Sequence, residues 1–141
     1  MSYTVRVRIR HNSTDAYFRT AEMAVWHYAN GGSWADSDGQ LTLTMGGSGT
    51  SGMLRLQTNN DGEPFTVAIG VHNYAPWVHV LPDVARNETT VVLLPQYYAG
   101  GKYSGVPVVP ACEVRNSAGR KLAAAFRNTE GQTYTLDIVI G

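Results

Sequence analysis

The side chains that could do chemistry gather around one glycine-rich run. Thr44-Met45-Gly46-Gly47-Ser48-Gly49-Thr50-Ser51-Gly52 holds four glycines and four hydroxyl side chains. Glycine carries no Cβ, so such a backbone can come close to a ligand and present N–H groups, carbonyls and small hydroxyls to it. Within this run Gly47-Ser48-Gly49-Thr50-Ser51-Gly52 fits G-x-G-x-x-G, the dinucleotide fingerprint. That motif works only between a strand and a helix whose N-terminus holds the pyrophosphate. Leu41 to Met45 alternates into the run and Met53 to Gln57 alternates out of it, so both flanks read as strands and the run as the end of a hairpin. A nucleotide site is therefore disfavoured, and a plain glycine-rich turn without a ligand is the competing reading.

Two further segments share this character. Tyr28-Ala29-Asn30-Gly31-Gly32 and Gly70-Val71-His72-Asn73-Tyr74 each place an amide or imidazole beside small residues at a strand end. Brought to one rim, they would supply amides, a serine hydroxyl, backbone groups, an imidazole and the flat rings of Tyr28 and Tyr74. Such an inventory suits a saccharide, whose hydroxyls donate and accept while its C–H face packs on aromatic rings. Each element has a plainer reading: Asn30 as an ordinary turn residue, His72 as an interior histidine, and Trp26, Trp34 and Trp77 as core or rim packing.

The elements that must position these residues are mostly strands. Val5, Val7 and Ile9 alternate with Arg6, Arg8 and Arg10, and Leu136, Ile138 and Ile140 alternate near the other end. Similar segments recur at Ala21 to Tyr28, Leu41 to Met45, Met53 to Gln57, Phe65 to Val71, Cys112 to Arg115 and Leu122 to Phe126, with turn-forming residues between them. So many short strands predict a sandwich or barrel in one domain, residues 1–141. From Ala75 to Tyr98 the alternation loosens around Pro76 and Pro82, which predicts short helices, although Val91 to Leu94 suits a strand equally well. Tyr98 to Pro110 reads as a long surface loop.

Composition narrows the partners. Eleven basic residues balance eleven acidic ones, and no basic run is interleaved with aromatics, so nucleic acid is not an expected ligand. The lone Cys112 has no internal partner, and charges occupy the positions where a signal peptide needs an apolar core, which predicts a cytoplasmic protein whose sequons at Asn12 and Asn87 stay bare. No apolar run approaches the roughly 20 residues of a membrane span. The G-x-S-x-G elbow of serine hydrolases is missing, and the histidines and Cys112 show no zinc spacing, so neither catalysis nor a metal or other cofactor is expected.

The three segments above, with Gln96-Tyr97-Tyr98 further on, resemble the fungal fruit-body lectins in order and spacing, from the opening Ser-Tyr-Thr to the closing Ile-Val-Ile-Gly. The resemblance implies a mainly β fold, a two-sheet β-sandwich with a short helix-loop-helix connection, similar in architecture to the actinoporins and usually assembled as a homotetramer. It also implies binding of Gal-β-1,3-GalNAc, the T-antigen disaccharide of O-linked glycans, in a defence role against feeding animals such as nematodes. Glycans and glycoproteins bearing Gal or GalNAc would be the partners, and membranes would be met only through glycoconjugates. Carried over position by position, the family's pocket falls on Ala29, Ser48, Gly49, His72 and Asn73, with Tyr28, Asn30 and Tyr74 as supports. Ala29 would offer a backbone group, Gly49 a backbone N–H, Ser48 a hydroxyl and Asn73 an amide.

The family's second pocket, for N-acetylglucosamine, uses Asp-Ile-x-Thr, an Arg and a Tyr. Here the matching stretch is His79-Val80-Leu81-Pro82, the following loop carries Lys102 and Tyr103, and Cys112 stands at the Tyr position. The Asp acceptor is missing, and Pro82 lacks both hydroxyl and N–H, so this pocket is expected to be absent or reshaped. The alternative to a lectin is a membrane-active, actinoporin-like cytolysin. It would need a detachable amphipathic helix, where Ser2 to Arg10 instead alternates as a strand.

Overall fold

The computed structural model describes residues 1–26 and 31–141. Among the described residues ten strands form two sheets: β1 (Tyr3–His11), β2 (Phe18–Trp26), β3 (Gly32–Ser37), β4 (Gln40–Met45), β5 (Ser51–Thr58), β6 (Phe65–His72), β7 (Ala75–Leu81), β8 (Ala111–Arg115), β9 (Lys121–Asn128) and β10 (Thr133–Ile140). One sheet runs β3-β4-β1-β10-β9-β8 and the other β2-β5-β6-β7. The only helical turns among the described residues are α1 (Thr90–Leu93) and a 3-10 turn, Leu94–Tyr97, that continues it directly.

Alternation explains the larger sheet. Val5 and Val7 of β1, Leu41 and Leu43 of β4 and Leu136 and Ile138 of β10 point inward, while Arg6 and Arg8 point to solvent. β1 lies between β4 and β10, parallel to β10 and antiparallel to β4. Pairing on both edges is the opposite of a detachable segment, which weakens the cytolysin alternative.

β5 and β6 are buried along almost their whole length because both of their faces are covered. Leu54, Leu56, Val67 and Ile69 pack against the six-stranded sheet, whereas Met53, Ala68 and Trp77 face a second cluster with Leu93, Leu94 and Tyr97. That second cluster fastens the helical connection to the outer face of the smaller sheet. The site described below lies at its margin.

The fold departs from expectation at four places. The glycine-rich run is not a hairpin end: β4 pairs with β1 and β3, β5 with β2 and β6, and the run crosses from one sheet to the other. Ala75–Leu81 is a strand rather than helical, paired along one side with β6, and Pro76 fits there because an edge strand can spare a donor. β3 went unpredicted although Asp38-Gly39, with φ of 51° and 83° between the paired Ser37 and Gln40, is a type I′ hairpin signature. The helical turns expected after Pro82 are confined to Thr90–Tyr97.

One ionic cluster pins distant segments together. Arg120 donates to Asp15 at 2.9 and 3.0 Å and to Glu63 at 2.8 and 3.2 Å, and also to the carbonyl of Gly141 at 2.6 Å. Hydrogen bonds from Arg120 hold both carboxyls below the usual carboxylate range. A carboxylate depressed in the fold contributes stability that is full above its unfolded pKa, near 4, and is lost as pH falls through the folded value. Acid unfolding is therefore expected to begin below about pH 4. Arg120→Met should lower the neutral-pH midpoint in urea and flatten the dependence below about pH 4; an unchanged acid limb in a urea titration would contradict this.

Candidate functional site

The site is built where the β4–β5 crossover meets the β6–β7 hairpin. His72 and Ala75 are paired, leaving Asn73 and Tyr74 as a two-residue loop with φ of 49° and 65°. Both angles lie in the left-handed region required by a type I′ turn, which asparagine tolerates well and tyrosine adopts rarely. A tether accounts for Tyr74: its N–H donates to Ser48 Oγ at 3.0 Å. On the other side of the junction the Gly49 N–H donates to the Val71 carbonyl at 2.7 Å, and Val71 N–H to the Thr50 carbonyl at 3.3 Å. Gly49 itself has φ of 99°, a conformation for which glycine is the fitting residue.

Two of the three expected strand ends thus converge. Ser48, Gly49, His72 and Asn73 share one rim; Ala29, Tyr28 and Asn30 lie outside the described residues. The flanking residues are described: Trp26 pairs with Ser51, and the Gly31 carbonyl accepts from Gly46 N–H at 2.7 Å.

Individual roles shift with this geometry. The Gly49 N–H, expected to face a ligand, is already used by Val71, so Gly49 contributes close approach rather than a donor. His72 is exposed, which excludes the interior-histidine reading, and its Nε2 lies 3.3 Å from Asn73 Nδ2. Ser48 Oγ accepts from Tyr74 but keeps its own proton to donate. Tyr74 is 75% exposed, so its tie to the rim is the backbone bond to Ser48 and not side-chain packing.

Behind the rim stands an aromatic wall that the expectations undervalued. Tyr98 stacks on Trp26 with centroids 4.4 Å apart and an interplanar angle of 7°, and its hydroxyl bonds Ser51 Oγ at 2.5 Å. Burial pushes the ionisation of this phenol up. Gln96-Tyr97-Tyr98 was visible as a motif, but which rings would meet depends on the helical connection folding back over β5 to β7. Trp34 and Trp77 are packing residues as expected, and Trp34 donates Nε1–H to the Ala24 carbonyl at 2.8 Å.

His79, Tyr97 and Tyr103 form a neighbouring cluster. His79 Nδ1 lies 2.7 Å from the Tyr97 hydroxyl, and the Tyr97 and Tyr103 centroids are 5.3 Å apart. Burial lowers the His79 pKa, favouring the neutral imidazole. Cys112 Sγ accepts from Val80 N–H at 3.4 Å, tying β7 to β8, and Pro82 follows the end of β7. The structure brings His79 beside Tyr103 and Val80 beside Cys112, with Lys102 Nζ 5.4 Å from the centre of the Tyr103 ring.

Comparison with known proteins decides what kind of protein carries this rim. The family model for fungal fruit body lectin matches residues 1–138. The chain belongs to the fungal fruit body lectins. This lectin is 37% identical to Boletus edulis lectin across 99% of each chain. Its structure superposes on Xerocomus chrysenteron lectin with a TM-score of 0.95, at 38% identity for the wild-type chain over 100% of each, and at 40% for a mutated form over 100% and 99%. The family is carbohydrate-binding and non-catalytic, so the lectin holds sugars without transforming them.

Proposed function

We propose that the lectin recognises O-linked glycans ending in Gal-β-1,3-GalNAc at the rim formed by Ser48, Gly49, His72 and Asn73, together with Ala29. The observation that carries this is the Ser48–Tyr74 tether. It places a hydroxyl still able to donate beside an amide able to donate and accept, and the exposed His72 imidazole stands next to that amide. Adjacent sugar hydroxyls need this kind of mixed donor and acceptor set, and a rim whose described residues, Ser48, Gly49, His72 and Asn73, include no carboxylate, lysine or arginine suits an uncharged ligand.

One shallow site per chain binds weakly, because ordering and desolvation offset most of the contact energy. Assembly as a homotetramer would raise avidity by about 10²–10⁴ where the geometry allows. Such avidity is what a cytoplasmic defence lectin would need against glycans met on a feeding animal. The second pocket of the family is not retained in its usual form: His79 is committed to Tyr97, and Pro82 has no N–H to donate.

A glycan array displaying terminal Gal-β-1,3-GalNAc and terminal N-acetylglucosamine side by side tests both statements. Binding to the first and not to the second is expected. Silence on the disaccharide would refute the rim assignment, and strong binding to N-acetylglucosamine would refute loss of the second pocket.

A further inference from the structure

A cleft of about 250 Å³ opens directly behind the rim. Gly49 and His72 stand at its junction with the rim, and Trp77, Tyr97, Tyr98, Tyr103, Val106 and Val108 are among the residues that line the rest. An apolar cavity of about 150 Å³ is enough for a benzene molecule. The cleft therefore has room for one substituted six-membered ring.

Its chemistry selects which ring. The Tyr97 phenol is used by His79 at 2.7 Å, the Tyr98 phenol by Ser51 at 2.5 Å, and the Ser104 hydroxyl donates to the Gly101 carbonyl at 2.9 Å. The Gly49 N–H is used by Val71. The Tyr103 phenol is left for a ligand, but a pyranose pushed into this space would still leave most of its hydroxyls without the partners that water gives them, a cost of kcal/mol size for each group. A flat apolar group loses nothing of the kind, and it gains contact with aromatic edges and valine side chains. The rim and the cleft thus adjoin as the more polar and the more apolar part of one surface.

We propose that the cleft is an aglycone subsite: a sugar held at the rim directs an aromatic or comparably flat apolar group on its anomeric carbon into the space bounded by Trp77, Tyr98 and Tyr103. This rests on the glycan reading of the rim. Glycans attached beside an apolar side chain, or aryl glycosides, are then preferred over the same sugar on a small or hydrophilic anchor.

Isothermal titration of the full chain with the methyl and phenyl glycosides of Gal-β-1,3-GalNAc separates the two ideas. The phenyl glycoside is expected to bind about tenfold tighter, the gain produced by burying most of one ring. Tyr103→Ala should reduce that preference to less than about threefold while leaving the methyl glycoside unchanged. Ser104→Trp, at an exposed position on the lip of the cleft, should erase the preference by occupying the space even if Tyr103→Ala fails to fold. Equal binding of both glycosides by the unaltered chain overturns the subsite and leaves the rim intact. Failure of the methyl glycoside to bind, with other sugars equally silent, overturns the rim reading itself. Equal weakening of both glycosides in Tyr103→Ala would make Tyr103 part of the rim and would also overturn the subsite.

Discussion

Asn73→Gly is expected to lower affinity for Gal-β-1,3-GalNAc by about 30-fold or more while leaving the thermal midpoint within a few degrees of the unaltered chain. The amide offers two N–H donors and a carbonyl acceptor side by side, more capacity than any other described side chain of the rim. Deleting it removes its own hydrogen bonds and leaves sugar hydroxyls without partners, about 2–3 kcal/mol together. Glycine is the informative replacement because Asn73 has φ of 49°. Alanine there would add a backbone cost of about 1 kcal/mol and confuse a lost ligand contact with a distorted turn. Titration calorimetry and a thermal melt on the same preparation check the pair of outcomes. Undiminished affinity would remove Asn73 from the site, and a large fall in the midpoint would make its role conformational. Ser48→Ala should show the complementary pattern, because losing its oxygen also frees the Tyr74 N–H and loosens the hairpin.

The second large effect is expected from Gly70→Val, a change in the middle of the smaller sheet. Gly70 lies opposite Trp77 on one side and Ser51 on the other. A Cβ added there would sit 2.5 Å from Trp77 Nε1 and 2.9 Å from Ser51 Cβ. Neither neighbour can yield cheaply, since Trp77 is packed in the second cluster and Ser51 is fully buried. Overpacking of this kind costs about 3 kcal/mol, or roughly 10 °C in the melting temperature of a domain this size. Because Trp77 also lines the cleft, any selectivity between apolar aglycones should fall at temperatures where the variant is still folded. A melting temperature unchanged within 2–3 °C would show that Trp77 moves aside freely and does not depend on a bare backbone beneath it.

Much of the site was readable in the residues. Ser48, His72 and Asn73 stand out as candidates because small, polar and amide side chains recur at strand ends, a local pattern that survives whatever the strands pair with, and the fold brings these three together. The role of Gly49 was misjudged because whether its N–H is free depends on Val71, a residue 22 positions away, and no local pattern reports that bond. His72 could be read as interior or exposed until the β6–β7 turn was in place. The apolar cleft was invisible because Trp77, Tyr98 and Tyr103 come from a strand and a long loop, and no spacing rule joins them. β7 was misread because prolines at both of its ends resemble helix starts, a likeness that only its edge position resolves.

By itself, the sequence determined that the chain is built of short strands with one buried face, and that its glycine-rich run opens into a strand and not a helix. Alternation is a local property of a half-buried strand, so it needs no partner to be seen. The order of motifs was enough to indicate the lectin family as well. Only the tertiary structure decided that the run crosses between two sheets, which brings Ser48 against the β6–β7 turn instead of against its own neighbour in a hairpin. The reason is that alternation says which face of a strand is buried but not which strand lies beside it. That choice rests on packing across the whole sandwich, where both faces of β5 and β6 had to be covered.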